Sequence, residues 1–171
     1  VQSLLENNQL LAVDLGLRCG MALYGHDGRL RWYRSQHFGG VPQLRRAATR
    51  TLGPPGQVSW LLSEGDVSLA AIWERVAMRQ GVRVQRVNAE TWRDSLMVLR
   101  QRRATPGGML QAEELARRVI AWSGVAAPAS LTHDAAEAIL IGLWGVLTLG
   151  WLTEMPSEVG QSNRRLLQVY R

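Results

Sequence analysis

Three short strand-like runs follow one another closely: LLAVD from Leu10, GMALYG from Gly20 and LRWYRS from Leu30. Only the turn-like stretches LGLRC and HDGR separate them. Links this short suit hairpins, so Gln9 to Gln36 reads as an antiparallel three-stranded meander. The period then changes. Pro42 to Leu52 has helical character and is stopped by the PPG of Pro54 to Gly56. The apolar run Val58 to Leu62, followed by Ser63 and Glu64, reads as a short buried strand. Val67 to Gln80 carries Leu69, Ile72, Trp73 and Val76 at helical spacing and ends at Gly81. Val82 to Val87 alternates as another strand. Asn88 is placed to cap a short helix running to Leu99. RQRRATPGG interrupts the pattern, Met109 to Trp122 is an amphipathic helix, and Thr132 caps a long last helix. A hairpin meander that leads into alternating helices and strands predicts an α/β fold. Its sheet is mixed and five-stranded, antiparallel in the meander and parallel beyond it, with helices flanking it. No internal repeat or linker divides the chain.

At 171 residues the chain fits one domain, with a core over about 9–150 and a tail from 154 to 171. Such a domain buries roughly 70% of the surface its unfolded chain exposes and needs no disulfide or metal staple. Cys19 is the single cysteine, and no charged, then apolar, then small-residue leader pattern opens the sequence, so the expected compartment is the cytoplasm. Ala138 to Thr153 is an uncharged run of 16 residues between Glu137 and Glu154. A membrane span needs about 20 apolar residues, and these flanks are acidic, so the run predicts a buried helix and no membrane partner.

All 20 basic residues are arginine, against 14 acids, for a formal net charge of +6. Arginine grips phosphate through a planar fork, which makes nucleic acid the first expected partner. The clearest basic cluster is Arg100, Arg102 and Arg103, ahead of TPGG, where a loop would meet phosphates. Arg45, Arg46 and Arg50 share one face of their helix and read as a solvated face or a second phosphate track.

The acids carry the chemistry. Asp14 ends the first strand among apolar neighbours, and Glu64 ends WLLSE in the same way. A carboxylate there is costly unless it meets solvent, a cationic partner or a metal. In His133-Asp134-Ala135-Ala136-Glu137 the i,i+3 spacing puts Asp134 and Glu137 on one helical face, with small alanines permitting close packing on the sheet. Four carboxylates brought together suit Mg²⁺ or Mn²⁺, and two such ions about 4 Å apart activate water in phosphodiester hydrolysis.

On LLAVDLGLRCGMALYG, WLLSEG, VNAETWRDSL and HDAAEAILIGLWG, the chain resembles the RNase H-like nucleases, and within them the RuvC-type Holliday junction resolvases with their chloroplast and phage relatives. The resemblance covers most of Leu10 to Gly145. It implies an RNase H-like fold and a homodimer that nicks four-way DNA junctions symmetrically with divalent metal in recombination and repair. It matches Asp14, Glu64, Asp134 and Glu137 to the metal-binding acids. Where such resolvases commonly use lysines near the junction, this chain offers Arg93, Arg100, Arg102 and Arg103. Glu137 stands where the best-known bacterial members have aspartate. Trp92 recurs beside a basic residue and is expected to buttress the site. His133 is expected either to assist the acids or to neighbour the helix cap. A helicase partner is compatible with this reading but is not specified by the sequence.

Two other readings stay open at this stage: a YqgF-type nuclease acting on structured RNA, and a basic nucleic-acid-binding module without chemistry. Trp60, Trp73, Trp122 and Trp144 fall on apolar periodic positions and are expected in the core rather than on bases. His26, His37 and His133 are too scattered to suggest a zinc site, and Cys19 is expected to be inert. The stretch from Glu154 onward is loop-like in composition.

Overall fold

The computed structural model describes residues 8–96 and 106–160. The meander is present as β1 (Gln9–Leu15), β2 (Cys19–Gly25) and β3 (Leu30–Gln36). It is followed by α1 (Val41–Leu52), β4 (Val58–Gly65), α2 (Val67–Arg79), β5 (Arg83–Arg86) and α3 (Ala89–Leu96). Then come α4 (Pro106–Ser123), α5 (His133–Thr148) and α6 (Ser157–Gly160). The sheet order is β3-β2-β1-β4-β5. β1, β2 and β3 pair antiparallel, while β4 joins β1 and β5 joins β4 in parallel. This is the mixed five-stranded sheet that the pattern predicts.

Both faces of the sheet are covered, because side chains alternate along each strand. Leu10 and Ala12 of β1 and Leu62 of β4 join the core formed with α3, α4 and α5. Leu11, Val13 and Leu15, with Leu61, join the core formed with α1 and α2. β2 is buried at every position, as a strand covered on both sides must be. The uncharged run therefore has a plain explanation. Every residue of α5 from Ala135 to Val146 is buried against the sheet or neighbouring helices. The Tyr24 hydroxyl donates to the Ile139 carbonyl at 2.7 Å, tying the helix to β2. Beyond α5 the run turns back, with the Trp151 amide donating to the Val146 carbonyl at 2.9 Å. Among the described residues no helix is long and apolar enough to cross a membrane.

Several details differ from the sequence reading. α4 begins at Pro106 instead of Met109, since proline suits the first helical turn, where an N–H has no partner. β5 is trimmed to Arg83–Arg86, the residues that face β4, while Val82 and Val87 are buried just outside it. Thr132 holds the N-cap position of α5, but its side chain makes no capping bond and its Oγ1 is buried without a partner. The stretch after Glu154 is not all loop: α6 forms a helical turn whose Val159 is fully buried. Trp73 and Trp92 are fully buried and Trp144 nearly so. Trp60 and Trp122 are half-buried, with Arg83 and Arg29 lying over their rings at 5.4 and 4.4 Å. Arg164, Arg165 and Arg171 lie outside the described residues.

Candidate active site

The site forms where β1 and β4 end together. Asp14 and Glu64 are Cα partners in the parallel ladder. By alternation both side chains leave the sheet on the α5 side, like Leu10, Ala12 and Leu62. The end of β4 is fixed by backbone. Gly65 adopts φ 101°, and a Cβ there would lie 2.2 Å from the Leu15 carbonyl oxygen. The Asp66 amide donates to that carbonyl at 2.9 Å, and Asp66 Oδ1 accepts from Ser68 and Leu69 amides at 2.8 and 3.0 Å to start α2. Glu64 is thus the last side chain before a rigid turn.

The third carboxylate arrives on α5. Gly20, paired with Asp14 across β1 and β2, leaves the room this needs. A Cβ at Gly20 would stand 1.9 Å from the Asp134 carbonyl oxygen, so the first turn of α5 packs directly on the β2 backbone. Glu137, one turn later, reaches the strand ends. Ligand oxygens of Asp14, Glu64 and Glu137 all lie within 4.8 Å of one another. Asp134 does not belong to that trio. It precedes it on the helix, close enough to raise the Asp14 pKa, and its Oδ2 is buried without a partner.

The charges respond as crowded carboxylates must. Burial pushes the Asp14 carboxyl up to about 8, helped by the negative charges of Glu137, Glu64 and Asp134 and by a hydrogen bond with Glu64. Glu64 is also raised, by burial and by Glu137, while its bond to Asp14 and the charges of Arg93 and His133 pull the other way. Glu137 is buried, and Arg93 Nη2 donates to its Oε1. His133 Nε2 stands 3.4 Å from the same oxygen. Arg93 is carried by α3, whose start is set by Asn88 Oδ1 accepting from the Thr91 amide at 2.7 Å and hydroxyl at 2.6 Å. Its guanidinium lies 4.8 Å from the centre of the Trp92 ring, which is fully buried beneath it.

Every expected acid therefore lies at one end of the sheet, three of them in direct reach of one another. Trp92 stands under the site as a support for Arg93. Arg93 itself faces Glu137, a pairing that sequence spacing did not indicate. Arg100, Arg102 and Arg103 lie outside the described residues. Cys19, next to the site, has its thiol pushed up to about 12 by burial and by Asp14 and Asp134, so it stays a neutral thiol.

The donor set fits a hard divalent cation. It is all oxygen, its acids repel one another without positive charge between them, and the orphaned Asp134 Oδ2 is a further unused donor. Among the described residues this is the one group of three or more metal-ligating side chains.

No protein-family model matches the sequence, and no curated protein matches it. Solved structures do. The chain is similar to T. thermophilus RuvC in complex with Holliday junction substrate, with a TM-score of 0.58 at 13% identity over 83% of this chain and 95% of that one. The catalytic core domain of BIV integrase aligns at a TM-score of 0.36 and 12% identity, over 80% of this chain and 82% of that one. With its 3-2-1-4-5 mixed sheet and flanking helices, the chain has an RNase H-like fold.

Proposed function

We propose that this chain is a metal-dependent endonuclease of the RuvC type, nicking four-way DNA junctions in recombination and repair. The observation that carries the reading is the trio Asp14, Glu64 and Glu137, gathered within 4.8 Å at the strand ends of an RNase H-like sheet. The proposal treats residues 1–171 as one cytoplasmic nuclease domain working as a homodimer, since two opposed nicks require two sites related by a two-fold axis.

Asp14, Glu64 and Glu137, with Asp134 beside them, would hold Mg²⁺, two ions per site, with Mn²⁺ able to substitute. Bound there, the ions supply Lewis-acid stabilisation of the phosphate and lower the pKa of a water nucleophile. The protein's own groups do the rest. Gly20 and Gly65 fix the backbone so that the carboxylates converge without rearrangement. Arg93 holds Glu137 in place and partly neutralises it until cations bind. His133, half exposed beside Glu137, is placed to exchange a proton between the site and solvent. Arg100, Arg102 and Arg103 would grip flanking phosphates.

The test is incubation with a labelled four-way junction, a matched linear duplex and a hairpin RNA, with Mg²⁺ or with chelator. Paired, metal-dependent nicks confined to the junction are expected. Preferential cutting of the RNA would move the substrate to structured RNA, and tight binding without cleavage of anything would leave a silent binding module.

A further inference from the structure

On the face of the sheet away from the acids, α1 and α2 enclose a cavity of about 90 Å³. Its floor is apolar, formed by Ile72 and Val76, and its rim is Arg45 from α1 with Arg75 and Arg79 from α2. Ile72, Arg75, Val76 and Arg79 share one helical stripe by their i, i+3, i+4 and i+7 spacing, so the two α2 arginines stand one turn apart over the same hollow. All three arginines are exposed, and none is ion-paired with a described residue. Glu74, the nearest acid in sequence, is engaged elsewhere: its carboxylate accepts two bonds from Arg86, at 2.5 and 2.9 Å. Arg75 uses only its Nε, donating to the Ala71 carbonyl at 3.1 Å, which leaves its terminal nitrogens for other acceptors.

Three guanidinium groups converging on one hollow without a carboxylate repel one another, and the charge that relieves them is an oxyanion with several acceptors. On this measure of volume a single water takes about 10–15 Å³, so the cavity has room for several waters, or for the phosphoryl group that would displace them.

We propose that the Arg45–Arg75–Arg79 pocket is a phosphate-binding site that holds a backbone phosphodiester of bound nucleic acid. It lies across the sheet from the acidic trio, so the phosphate it takes is not the one being cut. A straight duplex lying over the acids does not reach this face, whereas a second arm of a branched substrate does. The choice of a nucleic-acid phosphate over a free one rests on the nuclease reading above; the oxyanion chemistry of the pocket does not.

The experiment compares wild type with an Arg45→Gln, Arg75→Gln, Arg79→Gln triple variant. An Arg46→Gln, Arg50→Gln variant controls for lost charge, because those side chains leave α1 outside the pocket. All positions are exposed, so folding is retained, as circular dichroism would verify. Affinity for a four-way junction and for a linear duplex is measured in chelator over a range of salt, and melting is followed with added tripolyphosphate. The triple variant is expected to bind the junction roughly tenfold to a hundredfold more weakly, and its log–log salt slope to fall by about 3, one for each lost phosphate contact. The control variant and the linear duplex should change far less. Equal losses in the triple and control variants would overturn the pocket, leaving only net charge. If tripolyphosphate stabilises wild type but not the triple variant while junction affinity is unchanged, the site takes free phosphate and the nucleic-acid assignment falls. Failure to cleave, with these binding differences intact, would defeat the nuclease reading and leave the pocket standing.

Discussion

Asp14 and Glu64 face each other as Cα partners across the parallel β1–β4 ladder, and the protonated Asp14 carboxyl donates a hydrogen bond to Glu64. One proton thus does part of the work that a cation would do, holding together two acids that would otherwise repel. Asp14→Asn keeps the shape and the donor while removing a charge. Its metal-free melting temperature is expected to rise and junction binding in chelator to persist. Cleavage is expected to fall by well over about 100-fold, since losing even a second-layer partner of a metal ligand costs about 10–100-fold. Cleavage at the wild-type rate would remove Asp14 from the site.

The same proton makes metal-free stability depend on pH. Asp14 releases its proton near 3.8 when unfolded and near 8 when folded, so between those values the folded state binds one proton more. Stability in chelator is therefore fully present below about pH 4, declines as pH rises toward 8, and levels off above. From this group the slope is up to about 1.4 kcal/mol per pH unit. Glu64, shifted in the same direction, adds to the decline. Urea denaturation at pH 5 and pH 7.5 measures it. Asp14→Asn should flatten the difference, and Mn²⁺ should restore stability most at the higher pH, where the carboxylates are free to ligate.

Gly20 sets how closely α5 approaches the sheet. A methyl group at Gly20 would meet backbone, with the Asp134 carbonyl oxygen at 1.9 Å and its carbon at 2.3 Å, so the helix start must move. Gly20→Ala is expected to destabilise by about 1–3 kcal/mol and to displace Glu137 from Asp14 and Glu64, lowering Mn²⁺ affinity and cleavage together. Gly16→Ala is the matched control: its nearest neighbour is the Arg18 carbonyl oxygen at an ordinary 3.6 Å, and its affinity for Mn²⁺ should stay near wild type.

The sheet was legible because its signals are local. The spacing of LLAVD, GMALYG and LRWYRS fixes hairpins, and a carboxylate closing each of two apolar strands is anomalous enough to be noticed from sequence. The i,i+3 relation of Asp134 and Glu137 was equally readable, but their separation in role was not. Only the approach of the α5 backbone to Gly20 decides that Glu137 meets Asp14 and Glu64 while Asp134 stays outside the trio. The Arg93 contact was hidden for a similar reason. It joins residues 44 apart, from two helices whose packing over the sheet is a tertiary result. Likewise Arg45 reads as one solvated charge on α1 until α2 brings Arg75 and Arg79 alongside.

Arg93 now has two opposing effects, which makes it separable from a mere scaffold residue. It donates to the buried Glu137 and lowers the Glu64 pKa, so it relieves repulsion in the metal-free site. It also places a fixed positive charge where a divalent cation would bind, and competes with that cation for Glu137 Oε1. Arg93→Gln keeps most of the side chain's bulk over Trp92 but loses the charge. Without metal, the variant should melt lower, because Glu137 is left buried beside two other acids with His133 as its nearest cation. With Mn²⁺ it should bind the ion more tightly, about fivefold if the lost competition is worth about 1 kcal/mol. Calorimetric titration with Mn²⁺ and melting in chelator give the two numbers independently. A variant that melts lower and also binds Mn²⁺ more weakly would make Arg93 a support for the site instead of a rival of the cation.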